Sequence, residues 1–350
     1  MPEAAFADAA ARLRPLDEEA HAAARVRHDQ LTKPPGSLGG LEELGAQLAA
    51  ISGRCPPPVP QSPAVAVFAA DHGVAVSESV TMWPQDITAQ MVANFVAGGA
   101  AINVIARQVG AAVHVVDVGV AAELGDEPGV RNHKVRPGTG SLADGPAMTE
   151  TEAMTALDAG AEVAAQLVGE GHDLLVTGDM GIGNTTAAAA LIAVYCDRPA
   201  SDVTGPGAGS DADTVARKVA VVAAAADRAR RQNEPVAVLA EVGGLEIAAL
   251  AGFVVGAAAA RVPVVVDGVI TLAALAAADA IVPGIGAHCI AGHRSPEPGA
   301  SAVLEHLRLE PLLDMGLRLG EGTGGCLAVP ILQAAARVLG EMATFDALGG

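Results

Sequence analysis

The sequence predicts an α/β protein: a parallel, Rossmann-like sheet covered by helices on both faces, with a smaller helical domain built from the N- and C-terminal segments. From Ala64 onward, short runs rich in β-branched residues alternate with Ala-rich helical stretches. Those runs are apolar throughout, as in strands buried on both faces of a parallel sheet. The chain is also long and apolar enough. Its 350 residues are 51% hydrophobic, which excludes a wholly disordered chain and suits about two structural units at roughly 150 residues each.

In chain order, residues 1–60 read as helical and end in a turn-rich segment, Cys55-Pro-Pro-Pro-Val-Pro60. Strands are predicted at Ala64–Ala69, Val113–Val118, Leu174–Thr177, Val236–Ala240, Val262–Val266 and, with a weaker pattern, Ala280–Val282. Helices are predicted over Gln85–Arg107, Thr149–Val168, Thr185–Val194, Asp211–Arg230 and Leu245–Ala259, and Ser301–Gly350 is helical again. The expected division is a small helical domain over 1–60 plus 301–350, and a large α/β domain over 61–300 that holds the cleft.

Composition narrows the function. With 21 basic and 40 acidic residues the net charge is −19, and aromatics are only 2%. Phosphate backbones are repelled and base-stacking platforms are scarce, so a general nucleic-acid binder is disfavoured. The longest apolar run, Ile247 to Ala260, stops at Arg261, short of the roughly 20 residues that a membrane span needs. The start, MPEAAFADAAARLRPLDEE, mixes acids with Arg and does not read as a signal peptide. Cys55, Cys196, Cys289 and Cys326 lie far apart, which fits a reducing cytoplasm better than a disulfide or zinc framework.

The predicted strands share a type of ending: Asp71-His72-Gly73, Asp117-Val118-Gly119, Gly178-Asp179-Met180-Gly181, Glu241-Val242-Gly243-Gly244 and Asp267-Gly268. Each puts glycine beside a carboxylate where the chain leaves the sheet. Such turns favour Gly and Asp in any protein. Five in one sheet favour a small-molecule cleft outside the strand ends.

Three further segments bear on that cleft. Thr177-Gly-Asp-Met-Gly-Ile-Gly-Asn-Thr-Thr186 follows a strand and opens a helix. It matches neither the dinucleotide nor the P-loop fingerprint. Its free N–H groups could hold an anion or simply cap a helix. Gly205-Pro-Gly-Ala-Gly-Ser-Asp211 is a second glycine-rich loop, followed by Lys218. That lysine could reach a phosphate between the loops, though an exposed helical lysine is the plainer reading. In Leu319-Gly-Glu-Gly-Thr-Gly-Gly325, Glu321 is framed by glycines ahead of the apolar helix Cys326–Leu339. It is either an ordinary acid at a helix start or a general base in a tight pocket, and position alone favours the first. A metal gathered by His288, His293 and Asp71-His72 is disfavoured, since no ligand-spaced motif supports it. Met82-Trp83-Pro84 holds the single Trp, which is either a lid residue or simple packing, with core packing the default.

Several motifs together resemble one family. They are Leu31-Thr-Lys-Pro-Pro-Gly-Ser-Leu-Gly39, Ala70-Asp-His-Gly73, Pro84-Gln-Asp-Ile-Thr-Ala-Gln-Met91, Gly98-Gly-Ala-Ala-Ile-Asn103, Gly178–Thr186, His293-Arg-Ser-Pro-Glu-Pro-Gly299 and Leu319-Gly-Glu-Gly-Thr-Gly324. In this order, from about Leu31 to Phe345, they resemble the nicotinate-nucleotide–dimethylbenzimidazole phosphoribosyltransferases of cobalamin biosynthesis. The resemblance implies a cytoplasmic homodimer, without metal or other cofactor. It would transfer phosphoribose from nicotinate mononucleotide to 5,6-dimethylbenzimidazole, with Glu321 as catalytic base.

By the same resemblance, Asp179, Gly181, Gly183, Asn184, Thr185, Gly207, Gly209 and Lys218 belong to the ribose-phosphate side. Thr81, Gln85, Gln90 and Leu319 belong to the benzimidazole side, and His293 and Ser295 border the site. The sequence departs from the family pattern at Asp179 (commonly Glu), Thr81 (commonly Ser), Ala300 (frequently His), and Pro206 and Ala208 in the second glycine loop. The alternative from another class is a catalytically idle nucleotide-binding or regulatory protein on the same fold. A transferase that uses phosphoribosyl pyrophosphate is a third reading, for which no acidic pair before a phosphate loop is found.

Overall fold

Strand β1 (Pro63–Ala70) runs through the middle of the molecule and is buried along its whole length. Its Ala64, Ala66, Phe68 and Ala70 enter one hydrophobic cluster, and its Val65, Val67 and Ala69 enter another on the opposite face. This two-sided burial is why the strand reads as a continuous apolar run. The computed structural model describes residues 4–125, 127–207 and 209–348. Ala208 therefore lies outside the described residues.

The chain begins with α1 (Ala5–Arg12), α2 (Glu18–Gln30) and α3 (Gly40–Ser52). After β1 come α4 (Val74–Ser77), α5 (Ile87–Val96), α6 (Ala101–Val109), β2 (Ala112–Gly119) and β3 (Val130–Asn132). Next are α7 (Glu150–Gly169), β4 (Leu174–Met180), α8 (Asn184–Tyr195), α9 (Ala200–Val203) and α10 (Ala212–Ala229). Then follow α11 (Pro235–Val242), α12 (Leu245–Ala259), β5 (Val264–Val266) and α13 (Val269–Ile281). The last elements are β6 (Cys289–Ala291), α14 (Pro298–Leu307) and α15 (Thr323–Glu341).

The six strands form one sheet in the order β3-β2-β1-β4-β5-β6, and every pairing is parallel. The expected Rossmann-like sheet is thus observed. Its order reverses between β1 and β4, and ligands of open parallel sheets bind outside the carboxyl ends of the strands near such a reversal. Helices α3, α5, α6 and α15 cover one face, and α7, α8, α12 and α13 cover the other. Helix α7 starts on a capping box in which Thr149 and Glu152 bond each other's backbone N–H groups. It crosses α12 at backbone contact: a Cβ on Gly160 would overlap the carbonyl of Ala249, and one on Gly252 the carbonyl of Leu157.

Helices α2, α3 and α15 share a third apolar cluster, Ala20, Ala24, Ala46, Ala49 and Leu339. Leu31 and Thr344 bridge the two chain ends. Helix α1 packs instead on α7 and α12.

Four sequence expectations are corrected. Val236–Ala240 lies in α11, not in a strand; Pro235 occupies the first turn, where a missing N–H costs nothing. Glu241-Val242-Gly243-Gly244 is accordingly a helix end. Ala280–Val282 closes α13, and the edge strand is Cys289–Ala291. Gln85–Arg107 is two helices, broken at Gly98-Gly99, where Gly98 has φ +76°. Of Ser301–Gly350, residues 308–322 are not helical.

Candidate active site

A cavity of about 800 Å³ opens beyond the carboxyl ends of β4, β5 and β6. Glu321 stands in its wall on a turn of unusual backbone. Gly320, Glu321 and Gly322 have φ of +83°, +63° and +90°. Glycine adopts such values freely, whereas a glutamate there costs roughly 1–2 kcal/mol. Close packing holds the turn. A Cβ on Gly178 would lie 2.6 Å from the carbonyl oxygen of Glu321, and one on Gly322 would lie 2.7 Å from Val65. The Glu321 carboxylate accepts the N–H of Ile102, in the first turn of α6, at 3.4 Å. It is 5% exposed. Burial raises its pKa, the Ile102 N–H opposes the rise, and the negative Asp267 adds to it.

Asp179 ends β4 beside this turn. Its Oδ2 accepts from the Asn184 amide at 3.0 Å, and its buried Oδ1 has no partner. Burial, then the charges of Asp267 and Glu246, hold its pKa well above the usual carboxylate range. Burial thus favours the protonated form of Asp179. Behind it, His72 and Glu246 are fully buried, with Nε2 and Oε1 2.7 Å apart. Glycines 181 and 244 leave room for that pair.

The two glycine-rich loops meet on the other side of the cavity. Gly183, at φ +93°, caps α8, whose first residues Asn184 and Thr185 face the cavity. Lys218 is 1% exposed, which corrects the reading of an exposed helical lysine. Its Nζ donates to Thr185 Oγ1 at 3.0 Å and to the carbonyl of Gly205 at 2.9 Å. Burial lowers its pKa, and nearby Glu297 counteracts this. Glu297 Oε1 accepts the N–H of Gly207 at 2.9 Å.

Among the described residues, the cluster spaced for a metal ion is His114, Glu170 and His172. It lies at the far end of the sheet. Arg131 already bonds Glu170 there and approaches His114 Nδ1 at 3.4 Å, so a guanidinium supplies the positive charge. The histidines weighed as metal ligands near the cavity have other partners: His72 pairs with Glu246, and His293 with Asp267.

A family model described as "Phosphoribosyltransferase" matches residues 13–349. The Salinispora tropica protein named nicotinate-nucleotide–dimethylbenzimidazole phosphoribosyltransferase is 52% identical over 97% of both chains. One of the same name from Chloroflexus aurantiacus is 52% identical over 96% of this chain and 95% of its own. The chain belongs to this phosphoribosyltransferase family. A crystal structure of the Thermus thermophilus member superposes with a TM-score of 0.91 at 51% identity, covering 95% of this chain and 99% of the other.

Within this phosphoribosyltransferase, most residues singled out in the sequence meet at the one cavity. Asp179, Gly181, Asn184, Thr185, Gly207, His293, Ser295, Leu319 and Glu321 line it. Gly183, Gly209 and Lys218 support its loops without lining it. Thr81, Gln85 and Gln90 are not in the cavity wall. Thr81 Oγ1 accepts the N–H of Trp83, and Gln90 bonds Asp86 on the outer face of α5. Trp83, Ile87 and Met91 form the apolar wall in their place. Trp83 is 46% exposed, so the expectation of core packing is corrected. The spacing of Ile87 and Met91, i to i+4, marks one helix face, but nothing local says which face meets the cleft. Arg318 and Glu297, also in the wall, were not singled out either.

Proposed function

We propose that this protein transfers the phosphoribosyl group of nicotinate mononucleotide to 5,6-dimethylbenzimidazole. The products would be nicotinate and α-ribazole 5′-phosphate, for the lower nucleotide of a corrinoid. The observation that carries this reading is the Glu321 carboxylate, presented on its glycine-framed turn to a cavity with a buried lysine behind one end and an apolar wall at the other.

The chemistry follows from the groups. The leaving nitrogen is part of a pyridinium ring and departs neutral, so the step needs no general acid. The attacking benzimidazole nitrogen becomes cationic on bonding to C1′ unless the ring's N–H proton is removed. Ionised Glu321 takes that proton and offsets positive charge on the ribose, a role typically contributing about 10²–10⁴ in rate. Its raised pKa brings it towards the working pH, where a base is both ionised and strong enough to act. Attack from the face opposite nicotinate inverts the β-glycoside to α. Holding both rings in line supplies most of the remaining rate.

Thr185, the Gly207 loop and Lys218 suit the 5′-phosphate, with Arg318 as a further cation at the cavity wall. Asp179 and Asn184 suit the ribose, and His293 and Ser295 border it. Trp83, Ile87, Met91 and Leu319 suit the flat, apolar benzimidazole. Helices α2, α3 and α15, with the bridged chain ends, support a small helical domain drawn from 1–60 and 301–350, from which α1, packed on α7 and α12, stands apart. Exposed apolar side chains outside the cavity are consistent with a homodimer: Met82 is 67% exposed and Met315 66%. A cytoplasmic location fits the four free cysteines.

The test is direct. Purified protein is incubated with both substrates, with and without EDTA, and nicotinate release is followed by chromatography. Turnover that survives EDTA is expected. Binding without turnover would show an idle binder, and dependence on Mg²⁺ and phosphoribosyl pyrophosphate would show a different transferase.

A further inference from the structure

Helix α15 begins just after Glu321, and its N-cap, Gly322, has no side chain to satisfy the free N–H groups of the first turn. A carboxylate from another element fills that place. Asp267, which follows β5 and is fully buried, accepts the N–H of Gly322 on Oδ2 at 3.2 Å and the N–H of Gly325 on Oδ1 at 2.8 Å. Its own N–H is held by Thr177 Oγ1 at 3.1 Å, in β4. Its Oδ1 also lies 3.4 Å from His293 Nε2. The His293 ring packs so closely on α15 that a Cβ at Gly324 would overlap it.

We propose that Asp267 is a positioning residue for the transfer: it clamps the turn that aims Glu321 into the cavity and holds His293 against the same turn. The proposal rests on the reading of Glu321 as the base. A non-glycine residue at φ +63° persists only where its surroundings over-determine it. Gly178 limits the turn from the β4 side, and Asp267 binds the residue directly after Glu321 and the third one after that. Without those two bonds the turn is free to relax, and a base displaced by about 1 Å can lose on the order of 10² in rate.

The clamp also carries charge. Around Glu321 are Asp267 after β5, Asp179 on β4, His293 beyond Asp267, and the N–H of Ile102 from α6. Burial is the main cause of the raised Glu321 pKa, and Asp267 adds to it. Replacing Asp267 with a neutral side chain therefore makes Glu321 easier to ionise while leaving it badly aimed. A merely structural residue would not produce that combination.

Asp267→Asn keeps the shape but turns one acceptor into a donor facing N–H groups. The expected result is a kcat at least tenfold lower, a KM for nicotinate mononucleotide within about threefold of the parent, and an acid limb of kcat displaced to lower pH. Asp267→Ser, which retains one acceptor, is the second variant should the amide not fold, with the same expected direction. In a Glu321→Gln background, Asp267→Asn should cost less than about threefold further, because it acts through the missing base. A readout independent of turnover is ¹³C NMR of glutamate-labelled protein. The Glu321 carboxyl resonance, assigned by its loss in Glu321→Gln, should titrate at lower pH in the Asp267 variants. An unmoved titration midpoint, a wild-type kcat, or an undiminished loss in the Glu321→Gln background would each overturn the proposal. Absence of turnover in the parent protein would instead count against the transferase reading, and the NMR titration would still decide the clamp's charge effect.

Discussion

Lys218 and Thr185 are joined by a 3.0 Å hydrogen bond between Nζ and Oγ1, which ties the helix after one glycine-rich loop to the helix after the other. The ammonium is buried, and the cavity-lining Gly207 packs against both groups: a Cβ there would stand 3.4 Å from Nζ and 2.9 Å from Oγ1. Lys218→Met should raise the KM for nicotinate mononucleotide by roughly tenfold or more, since hydrogen bonds to charged groups are worth about 1.5–3 kcal/mol. The KM for dimethylbenzimidazole should change much less. Steady-state kinetics with each substrate varied in turn checks both.

The raised Glu321 pKa predicts the pH dependence of catalysis. Burial favours the protonated carboxyl, which cannot accept a proton. Activity should fall as pH drops, with a kcat midpoint above the ordinary glutamate value of about 4.3. A rate profile at saturating substrates reads this. A midpoint at or below the ordinary value would show that the base is not this buried group.

Asp179 predicts the pH dependence of stability. Its folded pKa is raised, mainly by burial, so the folded chain binds this proton more tightly than the unfolded chain does. That contribution is fully present below the unfolded carboxylate range of about 3.9 and is lost as pH rises through the folded value. Asp179→Asn removes the penalty, and its amide oxygen can still accept from Asn184. The variant should melt about 2 °C or more above the parent near pH 8, with a smaller gain near pH 4, by scanning calorimetry at both. Its activity should fall.

Gly252 predicts what the fold tolerates. A Cβ there would overlap the Leu157 carbonyl, which is backbone and cannot rotate away. Gly252→Ala should destabilise by about 3 kcal/mol or more, at the upper end of overpacking costs. Urea denaturation measures it, and a loss below about 1 kcal/mol would show that α7 and α12 can separate.

The sheet was legible because β1, β2 and β4 each carry clustered β-branched and other apolar residues, and α7 because Thr149–Val168 is a long Ala-rich stretch. The β-branched run Val236–Ala240 misled because a short buried helix and a short buried strand have the same apolar pattern; Pro235 was the signal that separated them. Strand β6 spans only Cys289–Ala291, too short for any period to appear. At the site, glycines drew attention to the loops that carry Asp179 and Glu321. The apolar wall of Trp83, Ile87 and Met91 depends on which side of α5 faces the cleft. The clamp at Asp267 joins residues 55 and 58 positions apart, a link that no local window contains.

Glu321 is the group proposed to take the benzimidazole proton. The most direct test of that role is the initial rate of nicotinate release by Glu321→Gln at saturating substrates, with folding confirmed by circular dichroism. The predicted result is a rate lower by about 10²–10⁴ with both substrates still bound. A folded Glu321→Gln protein that turns over at the parent rate would contradict it.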